Sequence, residues 1–168
     1  MRKTIFLVAI AWGLLASATL AMDEVGVPEG ADWRAEPNRG VVKDNHWRWT
    51  LRSVERVGDT LAVTLHYKNN SSTARPLLLE DNFLEAIVLI DEAADARFAL
   101  TSVVGISEQI TAVKRKKGKS AVFTFAYPVG AKAVRFTSKW ISMRMGGEAS
   151  IMEVDFTIAI PPAKARAS

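Results

Sequence analysis

Residues 47–72, WRWTLRSVERVGDTLAVTLHYKNNSS, decide the fold class. Trp47, Trp49 and Leu51 alternate with Arg48, Thr50 and Arg52, the period of a strand with one buried face and one wetted face. Gly58-Asp59 turns the chain. Leu61, Val63, Leu65 and Tyr67 then alternate with Ala62, Thr64, His66 and Lys68, and Asn69-Asn70-Ser71-Ser72 closes the run with residues whose short side chains bond their own backbone. The two runs read as an antiparallel hairpin with Leu65 in the core and Thr64 and His66 on the wet face.

The same signals continue downstream. Pro76 marks the start of a strand over Leu77 to Glu80, since proline is tolerated at a strand start but not inside a central ladder. Asp81-Asn82 breaks that strand. Ala86 to Ile90 is a continuous apolar run, the pattern of a strand covered on both faces, although its length also suits a buried helical turn. After Asp91-Glu92-Ala93-Ala94-Asp95, residues Arg97 to Thr101 form a returning strand. Ile110 to Lys114 and Ala121 to Tyr127 flank Arg115-Lys116-Lys117-Gly118-Lys119, which reads as a tight hairpin with Gly118 at the position requiring positive φ. Val134, Phe136, Ser138 and Trp140 alternate, Gly146-Gly147 turns the chain, and Met152, Val154, Phe156, Ile158 and Ile160 alternate up to Pro161-Pro162. About eight short strands without a long amphipathic helix predict an all-β, immunoglobulin-like antiparallel β-sandwich. The cysteine pair that anchors many such domains is absent, so the strand order stays open.

Upstream of the strands the chain changes character. Arg2 and Lys3 precede an apolar stretch from Ile5 to Leu15, followed by Ala16, Ser17 and Ala18, the three-part pattern of a cleavable signal peptide, with a second cleavage frame at Thr19-Leu20-Ala21. The apolar stretch is shorter than the ~20 residues a spanning helix needs. The expectation is a signal peptide over 1–21, an extended arm over 22–45, a sandwich over 46–161 and a polar tail over 162–168. The product is then periplasmic or secreted and does not span the membrane. No cysteine is present, which excludes lipid attachment at the cleavage point, thiolate metal sites, cysteine nucleophiles and disulfides. A disulfide-free exported domain of this size points to a bacterial envelope. Without residues 1–21 the chain holds 20 basic and 18 acidic side chains, a net charge of +2. These are unevenly spread, with 9 basic and 14 acidic over 22–100 against 11 basic and 4 acidic over 101–168.

The segment from Trp49 to Phe136, through LAVTLHYKNNSS (61–72), PLLLEDNF (76–83), KKGKSAVFTFAYP (116–128) and AVRF (133–136), resembles the immunoglobulin-like extracytoplasmic domains of unknown function found on bacterial secreted proteins and lipoproteins. The resemblance covers about half of the chain that follows the signal peptide. It implies a binding or assembly module and brings no catalytic residues with it. The chain departs from these relatives in lacking the lipobox cysteine.

Chemistry-bearing residues are sparse. A serine hydrolase needs a histidine base, and His46 and His66 are the two available; both read as surface histidines. With Met143 and Met145 they are also the only soft or borderline metal ligands, and core packing accounts for the methionines, so no metal or cofactor is predicted. Asp91, Glu92 and Asp95 carry the hard ligands calcium prefers but lack the spacing of calcium loops, and read as a solvated turn. Two overlapping sequons at Asn69 and Asn70 are read as turn chemistry. Trp47, Trp49 and Trp140 are read as core rather than as a sugar-binding platform. What remains is the basic run Lys114, Arg115, Lys116, Lys117 and Lys119. Its plain reading is a soluble turn that discourages edge pairing. Its functional reading is a docking loop for an envelope protein or an anionic membrane surface, since five clustered cations attract anions over a distance. Nucleic acid is excluded by export. The expected role is a non-catalytic binding or assembly module; the alternatives are an envelope enzyme with an unrecognised site and, behind it, a periplasmic metal-binding protein.

Overall fold

The alternation at residues 47–67 folds as the hairpin it predicts. The computed structural model describes residues 33–35, 41–43, 45–79, 83–107, 111–143 and 149–160. The expected signal peptide, Gly146-Gly147 turn and polar tail lie outside the described residues. The strands are β1 (Trp33–Ala35), β2 (Val41–Lys43), β3 (Trp47–Val57), β4 (Thr60–Asn69), β5 (Arg75–Leu79), β6 (Ile87–Asp91), β7 (Ala96–Val104), β8 (Thr111–Val113), β9 (Gly118–Ala126), β10 (Ala133–Met143) and β11 (Ala149–Ala159). One helical turn, α1 (Phe83–Ala86), precedes β6. Every pairing among the described residues is antiparallel, and the architecture is an immunoglobulin-like β-sandwich.

Gly58 has φ 56° and leads a two-residue turn between Val57 and Thr60, the backbone that matches strand twist in a hairpin. Inward positions in β3 change parity, from Trp47, Trp49 and Leu51 to Val54. A bulge at Arg52 absorbs the change, so Leu51 faces Leu65 and Val54 faces Val63 without turning either strand inside out. The first sheet continues from β4 to β9 and then to the second half of β7, while β1 and β2 line the outer edge of β3.

In the second sheet, β10 is central. It pairs with β11 along its whole length on one side, and with β6 and then β5 on the other. β8 adds to β5, and the first half of β7 adds to β6. β7 therefore belongs to both sheets: Ala96 to Ala99 pair with β6, and from Leu100 to Val104, through an irregularity between Leu100 and Ser102, the strand pairs with β9.

Aromatic side chains fill the space between the sheets. Trp49 stacks on Tyr67 at 5.1 Å and meets Trp140 of the opposite sheet at 5.0 Å; Phe136 packs between Phe123 at 5.4 Å and Phe125 at 6.0 Å. All of these are fully buried, and each large apolar side chain removed from water is worth about 1.5–3 kcal/mol. The Trp47 indole N–H donates across the sandwich to Ser142 Oγ at 2.7 Å, and that of Trp140 to Ser138 Oγ at 2.8 Å, which offsets the burial of these polar groups. Tyr67 donates to the Gly105 carbonyl at 2.9 Å, and its burial raises the phenol pKa above its ordinary value. The three tryptophans are thus core residues and offer no exposed platform.

Several expectations are corrected. Two stretches of the expected arm are strands, β1 and β2, bringing the described strands to eleven rather than about eight. The third strand starts at Arg75, with Pro76 second in it; pairing with β10 begins only at Leu77, so the missing proline N–H is not needed for that ladder. The apolar run 86–90 is a helical end followed by a strand whose outward Val88 and Ile90 are half-buried rather than covered. Ile110 to Lys114 and Ala121 to Tyr127 do not form a hairpin: β8 pairs with β5 in the second sheet and β9 with β4 in the first, so the basic turn arches between sheets. Met143 lies on the outward face of β10 and is 37% exposed, so core packing does not explain it; Met145 lies outside the described residues.

Candidate functional site

The basic arch is built around one buried amide. Asn69, at the end of β4, is completely buried and uses all of its side-chain bonding capacity: Nδ2 donates to the carbonyls of Thr73 at 2.8 Å and Val113 at 2.9 Å, while Oδ1 accepts from Ser71 N–H at 2.9 Å and Ser71 Oγ at 2.5 Å. One side chain thus ties the 69–73 turn to the end of β8. Backbone bonds complete the tie: Asn69 N–H donates to the Lys117 carbonyl at 2.9 Å, and Asn70 N–H to the His46 carbonyl at 2.7 Å. Burial of Asn69 closes the first of the two sequons to modification.

Within the arch, Lys117 N–H donates to the Lys114 carbonyl at 3.1 Å, closing a four-residue turn with Lys116 at φ 57°. Positive φ at the third position of such a turn usually falls to glycine or asparagine. Gly118 was expected to supply it but does not. A Cβ on Gly118 would stand 2.5 Å from Nε2 of His66 and 2.9 Å from the Tyr67 carbonyl, so glycine is required there by close approach. The Lys116 ammonium also donates to the Asn70 carbonyl. Lys114, Arg115, Lys116, Lys117 and Lys119 are all exposed, and the structure brings them to one end of the sandwich, with Lys119 already inside β9.

A second set of cations lies next to this turn and was missed in the sequence. On the outer face of the first sheet Lys43 is opposite Arg48, Arg48 is opposite Lys68, and Lys68 is opposite Gly118, a rung that runs straight into the arch. The next rung is Thr50, His66 and Ser120. Arg52 sits at the bulge, exposed. Burial lowers the His66 pKa below its ordinary 6.5, and the positive charges of Arg52 and Lys68 lower it further. The alternation of 47–68 contains this signal, but the one-residue shift at the bulge decides which cations meet.

His66 Nδ1 lies 3.3 Å from Ser120 Oγ. An activated serine needs its histidine oriented by a third group and able to hold a proton. Here the other ring nitrogen lies over Gly118, and Arg52 and Lys68 oppose the imidazolium, so the contact lacks the features of a nucleophile and base. The acidic turn is committed elsewhere: Asp91 Oδ1 accepts from the N–H groups of Ala93 and Ala94 at 3.0 and 3.3 Å, and Glu92 pairs with Arg135 at 3.1 Å. Arg135 also binds Asp155 at 2.5 Å, a bond that, ahead of the Glu92 contact, raises the guanidinium pKa. Asp91, Glu92 and Arg135 border an open cleft of about 650 Å³ at the far end of β9 from the basic arch. Among the described residues no group of three or more His, Asp or Glu side chains could hold a metal ion, and no helix is long and apolar enough to cross a membrane.

No protein-family model and no curated protein sequence matches the chain. Similar solved structures include the crystal structure of a yeast GGA1 GAE domain, 15% identical, covering 73% of this chain and 99% of that one with a TM-score of 0.45. Another is a FixG-related protein from Vibrio parahaemolyticus, 14% identical over 60% of this chain and 77% of that one, with a TM-score of 0.32.

Proposed function

We propose that the chain is an exported, periplasmic, non-catalytic binding or assembly module that docks an anionic envelope partner on Lys114, Arg115, Lys116, Lys117 and Lys119. The observation that carries this reading is the tie at Asn69, which holds five exposed cations on a fixed backbone. A turn that served only solubility needs no such anchoring. β9, which the turn leads into, pairs with β4 along its whole length and with β7 from Val122 to Phe125. Export rests on Arg2, Lys3 and the apolar run to Leu15. Intact mass of the periplasmic product should show the loss of about twenty residues; a full-length chain in the cytoplasm would overturn export.

Docking is tested by Lys116→Glu with Lys117→Glu. The double variant should melt like the parent but lose salt-sensitive crosslinking to its envelope partner, because exposed charges attract within a Debye length of about 10 Å at moderate salt. Equal crosslinking at low salt by both proteins would return the turn to a solvated connection.

A further inference from the structure

We propose that the outer face of the first sheet, beside the arch, is a contact surface for anionic phospholipid headgroups. The proposal rests on the reading of the basic end as the docking end and extends it to Lys43, Arg48, Arg52 and Lys68, which together with Lys116 and Lys117 present cations across three strands and a turn.

The two sheets treat charge differently. On the outer face of the second sheet, cations meet carboxylates across strands: Lys139 is opposite Glu153 at 3.8 Å, and Arg135 binds Asp155 and Glu92. On the outer face of the first sheet, Arg48 stands between Lys43 and Lys68. Like charges directly opposite each other destabilise a sheet, and among the described residues no exposed carboxylate lies on those rungs. Among the described residues the exposed acid of this sheet is Asp59, at its far end in the β3–β4 turn. The repulsion is relieved when an external anionic surface approaches, so the face is complementary to negative charge as a face, beyond the turn alone.

The neighbouring side chains select the kind of surface. A protein partner needs a cluster of apolar anchors surrounded by polar residues, yet the next rung of this face is Thr50, His66 and Ser120, with one small exposed apolar side chain, Val41, opposite Thr50 at the sheet margin. Single-stranded nucleic acid needs exposed aromatic rings for stacking, and the aromatic residues of β3, β4 and β9 all point into the core. Lipid headgroups need neither. Each cation near an anionic bilayer contributes independently, without a pocket.

The test is co-sedimentation of the signal-free protein with phosphatidylcholine vesicles and with vesicles of equal parts phosphatidylcholine and phosphatidylglycerol. The protein should sediment only with the anionic vesicles, and less as salt rises. Arg48→Glu with Lys68→Glu should weaken this by about tenfold or more, given the contribution of each cation near the surface. The control is Arg97→Glu with Lys132→Glu, the same change in net charge at exposed positions off this face; it should bind nearly as the parent does. Should the glutamate pair fail to fold, Arg48→Gln with Lys68→Gln should show a smaller loss in the same direction. Equal binding to both vesicle types, a face variant that binds like the parent, or a control that loses as much as the face variant would each overturn the proposal. A protein that ignores vesicles but crosslinks an envelope protein through Lys116 and Lys117 would overturn the lipid surface and leave the docking turn standing.

Discussion

Lys116 and Gly118 exchange the roles that their residue types suggest. Left-handed backbone costs an ordinary residue about 1–2 kcal/mol, and Lys116 bears that cost at φ 57° while its ammonium bonds to the Asn70 carbonyl. Lys116→Gly should therefore stabilise the protein by about 0.5–1 kcal/mol in urea denaturation, since an exposed charge contact contributes little in return. Gly118→Ala should cost about 1–3 kcal/mol, because the new methyl meets the His66 ring and a backbone carbonyl that cannot withdraw. A stabilised Gly118→Ala would show that the ring moves aside freely. The sequence displays a glycine in a basic turn but not the reason for it, which depends on a histidine 52 positions earlier. His66 itself gives a pH prediction. Its folded pKa lies below 6.5, so between the two values the unfolded chain binds more protons and stability falls as pH drops through that window. Above it the contribution is constant. Thermal melts from about pH 7 to about pH 5 should decline less steeply in His66→Gln than in the parent; identical slopes would mean that the ring titrates as if in water.

At the scale of single strands, the alternation of β3 and β4 was readable because one face is buried and the period is two. Leu65 is fully buried and Thr64 half-exposed, as the pattern at 61–67 indicates. Leu65→Asp should abolish cooperative unfolding by burying an unpaired carboxylate, whereas Thr64→Asp should leave the melting curve nearly unchanged; the reverse result would put the strand one residue out of register. The bulge was not readable. Counting back from Gly58-Asp59 pairs Arg48 with Asn69, whereas the shift at Arg52 moves it to Lys68 and creates the cationic rung. Local pattern therefore revealed β3, β4 and the cluster at 114–119, but not β1, β2, the neighbouring rung or the arch. The rung depends on the bulge and on the pairing of β2 with β3, and the arch on pairings between β5 and β8 and between β4 and β9, which no short-range signal encodes.

At the scale of the molecule, β7 couples the sheets. Its first half completes the second sheet and its second half the first, and aromatic contacts from Trp49 to Trp140 and from Phe123 to Phe136 join the two inner faces. Neither sheet can open without stripping apolar surface from the other, so the sandwich should unfold as one unit despite its two layers. Leu65→Ala, in the first sheet, and Phe156→Ala, in the second, each remove a buried side chain and should cost about 2–5 kcal/mol. If the sheets are one cooperative unit, both substitutions lower the same single transition. Tryptophan fluorescence reports on Trp33, Trp47 and Trp49 in one sheet and Trp140 in the other, while far-ultraviolet circular dichroism reports on all strands. Their denaturation midpoints should coincide in the parent and in both variants. A fluorescence transition that separates from the dichroism transition in the Phe156→Ala protein would show that β7 is a hinge between two independently stable layers.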